Sequence, residues 1–229
     1  MFIKICGITN EEDALLAVAM GAHAVGFVFA PSTRQVAPQV AADIIKRLPP
    51  EIMTVGVFRD WAPQRVSDIA NQAGLSAVQL HGHEPPEVAQ WLKGRVGVVI
   101  QAFAAGDERV GRAAEYGVDA VLLDSPNPGS AQVFDWSLAS EVPQGQRVII
   151  AGGLNPDNVK QAIIQTHCWG VDVASGVERA PGYKDPIKLR EFVKAATAGF
   201  DELGDDEAGM GELGDEGGDH RFYDWQEEV

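Results

Sequence analysis

Only two cysteines, Cys6 and Cys168, occur in the 229 residues. They are too few for a disulfide framework and neither lies at a metal-ligand spacing, so a reducing compartment and no bound metal are expected. No apolar run reaches the roughly 18 residues of a membrane span, and the amino terminus lacks the charged, apolar and small-residue zones of a signal peptide. The expected location is the cytoplasm. Positive charge is also scarce, with 18 Lys and Arg against 33 Asp and Glu, a net charge of -15. Phosphate-bearing surfaces repel such a chain, which argues against nucleic acid or membrane as a partner. The acidity is uneven: residues 200–229 hold 12 acids against the single Arg221, a charge of -11, which leaves residues 1–199 at -4. Missing as well are a G-x-G-x-x-G turn after the first strand and any Walker pattern, which weakens the case for a doubly wound nucleotide-binding sheet.

What is present is a repeated beat of an apolar run followed by an amphipathic stretch. Eight strands are expected: Phe2 to Cys6, Ala24 to Phe29, Met53 to Phe58, Ala77 to His81, Val96 to Phe103, Ala120 to Ser125, Arg147 to Ala151 and Gly170 to Ala174. They are rich in Val, Ile, Leu and Phe with weak alternation, as in parallel strands covered on both faces. Asn10 is placed to cap the first helix, Pro63 to open the third and Gly74 to end it. Asn155-Pro156 and Asp185-Pro186 each match an N-cap followed by proline. Eight such beats in about 195 residues predict an α/β fold, a single (β/α)8 TIM barrel over residues 1–198. From Gly199 to Val229 glycine and acid dominate, with Glu-Leu-Gly-Asp at 202–205 and again at 212–215. This acidic tail is expected to be disordered. Its aromatic end, Arg221-Phe222-Tyr223-Asp224-Trp225, could dock a partner of unknown kind.

In such a barrel, function gathers at the carboxyl ends of the strands. Those ends carry Cys6, the loop with Arg34, His81-Gly82, Gln101, Asp124-Ser125, Gly152-Gly153 and Ser175-Gly176. The glycine-bearing seventh and eighth loops suit a phosphate, because backbone N–H groups can approach an anion closely there. A small phosphorylated substrate is the implied ligand. The Arg34 guanidinium could clamp a carboxylate with paired hydrogen bonds. Asp124 at the rim of an apolar barrel could hold a proton to donate, with Cys6 opposite as a base once ionised. Lys4 shares the Cys6 face of the first strand, and closure would set strand 8 beside strand 1, so Lys4 is expected to pair with Asp172.

Taken in order, Lys-Ile-Cys-Gly-Ile-Thr at 4–9, Gly26-Phe27-Val28-Phe29, Gln79-Leu80-His81-Gly82, Phe134-Asp135-Trp136, Ala151-Gly152-Gly153-Leu154 and Asp172 to Glu178 resemble phosphoribosylanthranilate isomerase of tryptophan biosynthesis. Pro181-Gly182 and Lys184-Asp185 extend the resemblance, which runs from residue 2 to about 196. It implies a TIM barrel that performs an Amadori rearrangement without metal or organic cofactor. It further implies Cys6 as general base, Asp124 as general acid and Arg34 on the anthranilate carboxylate. Gly152, Gly153, Ser175 and Gly176 would hold the phosphate. Apart from the resemblance, His81 and Asp172 are expected to line the substrate site. The chain departs from the family pattern in the loop 128–133, which lacks a Gly-Gly-Thr-Gly-Lys-like run, and at Gln35 and His83.

Two rivals stand beside this expectation. Another sugar-phosphate barrel, such as an epimerase or an indole-forming lyase, would share the phosphate loops without requiring Cys6, Arg34 and Asp124 together. A catalytically weak barrel kept as a binding module would fit the altered loop and the acidic tail.

Overall fold

The computed structural model describes residues 1–126 and 133–210, the last six as backbone only. Eight parallel strands close into a barrel in sequence order: β1 (Phe2–Cys6), β2 (Ala24–Val28), β3 (Met53–Phe58), β4 (Ala77–Leu80), β5 (Val98–Ala104), β6 (Ala120–Asp124), β7 (Val148–Ile150) and β8 (Gly170–Val173). The predicted strands are all found, with ends shifted by up to two residues.

Helices α1 (Glu11–Ala19), α2 (Pro38–Ile45), α3 (Pro63–Ala73), α4 (Pro86–Lys93), α5 (Val159–Thr166) and α6 (Pro186–Met210) follow strands 1 to 4, 7 and 8. After β5 and β6 the chain forms only 3-10 segments, Val110–Tyr116 and Trp136–Glu141. The caps explain the boundaries. Asn10 accepts the Asp13 backbone N–H at 2.8 Å, Gly74 ends α3 in the left-handed region, and Asp185 accepts from the Ile187 N–H at 2.9 Å. The expected cap at Asn155 is displaced. Its side chain closes a turn on the Asp157 N–H, and α5 begins only at Val159.

The core has two compartments because every strand is covered on both faces. Ile3, Ile5, Val25, Phe27, Val78, Leu80, Leu123 and their neighbours pack outward against the helices. Small and medium side chains such as Ala24, Val55, Ala77, Ile100, Leu122 and Ile149 fill the barrel itself. Its amino-terminal end is plugged by Phe2 stacked on Trp169, with ring centroids 4.6 Å apart. Toward the other end the buried residues turn polar, with Lys4, Gln79, Asp124 and Asp172. That polarity gradient marks the end at which chemistry can occur.

Strand parity corrects one expectation. Ile100 and Ala102 point into the barrel, so Gln101 lies with Val99 and Phe103 on the helix side. Its amide donates to the carbonyl oxygens of Leu80 and Ala102, away from the barrel mouth.

A second correction concerns the carboxyl end of the barrel, which the sequence places at residue 198. The last helix continues through the glycine-rich stretch to Met210. Phe200 and Leu203 pack against the core, Gly199 sits on Ile163 of α5, and Lys160 pairs with Glu202 at 2.7 Å. Residues 211–229 and most of the altered loop, 128–132, lie outside the described residues. Among the described residues no helix is long and apolar enough to cross a membrane.

Candidate active site

A cavity of about 290 Å³ opens at the carboxyl end of the barrel, lined among others by Cys6, Arg34, Gln79, His81, Asp124 and Asp172. Gly152, Gly153 and Ser175 line it too, so eight of the nine expected site residues share one cavity. Gly176 is the exception. A side chain there would collide with the Leu154 carbonyl, so this glycine lets the seventh and eighth loops press together instead of facing the cavity.

Cys6 ends β1 with its thiol inward and buried. Two glycines make its surroundings possible. A Cβ on Gly26 of the neighbouring strand would lie 2.8 Å from Cys6 Sγ and 3.2 Å from Lys4 Cε, so the missing side chain leaves room for both. Gly7, at φ +75°, takes a conformation that side-chain-bearing residues rarely adopt, and Arg34 Cδ lies only 2.6 Å from where a Cβ would stand. The arginine is thereby laid against the backbone next to the thiol.

Lys4 and Asp172 are register partners in the β1–β8 ladder, and Lys4 Nζ donates to Asp172 Oδ2 at 2.8 Å, as the closure argument predicted. Burial alone would lower the Lys4 pKa, but Asp172 and Cys6 outweigh it and hold the ammonium charged. For Cys6 the balance goes the other way. Burial pushes the thiol above its ordinary value, against the pull of Lys4 and Lys184. Burial thus favours the neutral form of the thiol, and it also lowers the Lys184 pKa below its ordinary value.

Arg34 meets a partner that the sequence did not suggest. Its Nε and Nη2 donate to Glu178 Oε1 and Oε2 at 2.8 and 2.7 Å, a two-pronged grip from the segment after β8. That segment folds into a hairpin of β9 (Glu178–Ala180) and β10 (Tyr183–Lys184). Lys184 is buried within it, and its Nζ donates to Cys6 O at 2.6 Å, Ala174 O at 3.1 Å and Glu178 Oε1 at 3.2 Å. One lysine thus ties together the ends of β1 and β8 and the hairpin.

Asp124, inward at the end of β6, accepts the Ser125 backbone N–H on Oδ1 at 2.7 Å. Its Oδ2 lies 3.3 Å from His81 Nε2. His81 Nδ1 in turn is 2.9 Å from the Gln79 amide nitrogen. Glu84 steadies the loop beyond by accepting the N–H groups of Asp60 and Gly82 at 2.7 and 2.8 Å. Sequence reasoning assigned no role to Glu178, Lys184 or Glu84, because Arg34, Cys6 and Asp60, which they hold, lie far away in the chain.

The cavity therefore combines a buried thiol, a hydrogen-bonded carboxyl group three strands away and a gripped guanidinium. Residues 3–195 match the family model for N-(5'-phosphoribosyl)anthranilate (PRA) isomerase. The chain belongs to that family. The N-(5'-phosphoribosyl)anthranilate isomerase of Desulforudis audaxviator is 48% identical over 201 residues, covering 85% of this chain and 97% of the relative. That of Thermotoga maritima is 45% identical over 202 residues with the same coverage. The crystal structure of the Thermus thermophilus isomerase superposes with a TM-score of 0.81 at 42% identity, covering 86% of this chain and 99% of that one. A further isomerase structure, solved in complex with reduced 1-(o-carboxyphenylamino)-1-deoxyribulose 5-phosphate, gives 0.77 at 41% identity with the same coverage.

Outside the site, Cys168 is buried and its thiol is pushed up to about 11, chiefly by burial. Such a group is inert. Trp61 and Trp91 pack on the outer core, each under an arginine, with Arg65 4.5 Å and Arg95 3.9 Å from the ring centres.

Proposed function

We infer that the chain is an isomerase of tryptophan biosynthesis, converting N-(5-phosphoribosyl)anthranilate to 1-(2-carboxyphenylamino)-1-deoxyribulose 5-phosphate, with Asp124 as general acid and Cys6 as general base. Family membership carries the reaction, and the opening of both groups onto one cavity supports the roles.

Asp124 gives its proton to the furanose ring oxygen as the bond from that oxygen to C1 breaks. The anilino nitrogen lone pair forms the C1=N bond of an iminium ion. Cys6, as thiolate, then removes the C2 proton, and those electrons form C1=C2 while the nitrogen regains its pair. The enaminol that results tautomerises to the ketone. One acid and one base balance every proton, so the step asks for no organic cofactor.

Arg34 keeps donors beyond the two that Glu178 engages, and these suit the anthranilate carboxylate. Gly152, Gly153 and Ser175 offer the phosphate a backbone-lined corner. Asp172 serves through Lys4, whose charge favours the thiolate form of Cys6. Two free cysteines and a phosphorylated substrate fit a cytoplasmic enzyme.

The test is turnover of freshly generated substrate by the purified protein, followed by loss of anthranilate-type fluorescence, with Asp124→Asn as control. Turnover that the control abolishes supports the roles. Binding of a phosphorylated product analogue without turnover would favour a binding module instead.

A further inference from the structure

Inside a barrel packed with Ala, Val, Ile and Leu, β4 carries one amide, Gln79, only 1% exposed. Burying a primary amide is unfavourable unless its hydrogen bonds are made, and Gln79 Oε1 finds no partner among the described residues. The one side-chain hydrogen bond that Gln79 makes there is to His81, two residues on and on the same strand face, at 2.9 Å.

We propose that Gln79 is a positioning residue for the general acid: by donating its amide N–H to His81 Nδ1, it keeps the imidazole proton on Nε2, aimed at Asp124. The proposal rests on the reading of Asp124 as the acid and deepens it.

The chemistry follows from which nitrogen is bare. A neutral imidazole has one N–H and one lone pair, and the bond made by one nitrogen fixes the role of the other. With Nδ1 accepting from Gln79, Nε2–H faces Asp124 Oδ2 at 3.3 Å, while Ser125 N–H already bonds Oδ1 at 2.7 Å. As Asp124 releases its proton to the substrate, negative charge grows on both oxygens, and each meets an N–H already in place. Preorganised donors of this kind lower the barrier because nothing must reorient as charge develops. With the proton on Nδ1 instead, the Nε2 lone pair would face the new carboxylate and oppose the transfer.

The experiment uses full-length protein labelled with 15N-histidine, His81 being assigned with a His81→Asn variant. Near pH 7.5 the wild-type spectrum is expected to show Nδ1 of His81 unprotonated and Nε2 protonated. Gln79→Glu, nearly the same shape but with no N–H to donate, should move a proton onto Nδ1. Gln79→Met, which keeps the packing without a buried charge, should let the ring exchange between tautomers. In both folded variants kcat is expected to fall about 10- to 100-fold, the scale of losing one aligned donor, with KM changed less than about threefold. A wild-type ring protonated on Nδ1, or both folded variants turning over at the wild-type kcat, would overturn the proposal. Should Asp124→Asn keep full turnover, the acid assignment itself would fail, whereas the ring proton is read from the spectrum whatever that result.

Discussion

Lys4 Nζ and Asp172 Oδ2, 168 residues apart in the chain, lie 2.8 Å from each other where the barrel closes. Lys4 is fully buried, with only the Cys6 thiol besides Asp172 to engage its charge, and Asp172 Oδ1 finds no partner among the described residues. Removing one member strands the other charge. Lys4→Met is expected to lower stability by about 3–5 kcal/mol, measured by urea unfolding. Lys4→Met combined with Asp172→Leu should lose less than the two single variants added together, because the stranded charge is gone.

The same lysine sets the reactivity of the thiol. Burial raises the Cys6 pKa above its ordinary value near 9.0, and Lys4 opposes that shift. Alkylation by iodoacetamide, followed by mass spectrometry against pH, should therefore accelerate through a midpoint above about 9 in the free protein. Lys4→Met should move that midpoint higher still. A midpoint below 8 in the wild type would mean that the cations win over burial.

The grip of Glu178 on Arg34 has a pH signature. Burial raises the Glu178 pKa, but Arg34 and Lys184 outweigh it and hold the carboxylate below its ordinary 4.5. A depressed acid contributes stability above its unfolded pKa and loses it as pH falls through the folded value. The stability gap between wild type and Glu178→Gln should thus be full at pH 6 and shrink below about 4.5. In kinetics the same variant loosens Arg34, so KM is expected to rise about tenfold with kcat less affected.

Ending the chain after residue 198 removes Phe200 and Leu203 from the groove that α6 makes with α5. The melting temperature should fall by about 2–8 °C, reflecting one or two kcal/mol of lost packing. A chain ended after Gly204 should melt as the full-length protein does.

How much of this was legible depended on how local the signal is. The strands were legible because parallel strands need apolar residues on both faces, and Asn10, Gly74 and Asp185 acted where their cap chemistry put them. The Lys4–Asp172 pair was legible too, because alternation and closure together leave one arrangement. Gln101 misled because a residue's facing depends on strand parity, which Ile100 and Ala102 fix only once the barrel is assembled. Glu178 was quoted in a motif, yet its bond to Arg34 spans 144 residues through a hairpin that no local pattern announces. The long last helix was hidden because glycine and acid normally argue against helix, and packing on α5 overrides that preference.

Closure through β1 and β8 also governs how the chain can fold. The first strand of the barrel gains its second neighbour only after residues 170–173 have been made. Until then its edge is open and Lys4 lacks its counter-ion. Contacts this distant in sequence form slowly, because the loop they close is long. The nascent barrel is thus expected to remain an open sheet, most exposed to mispairing along β1, until its final strand arrives.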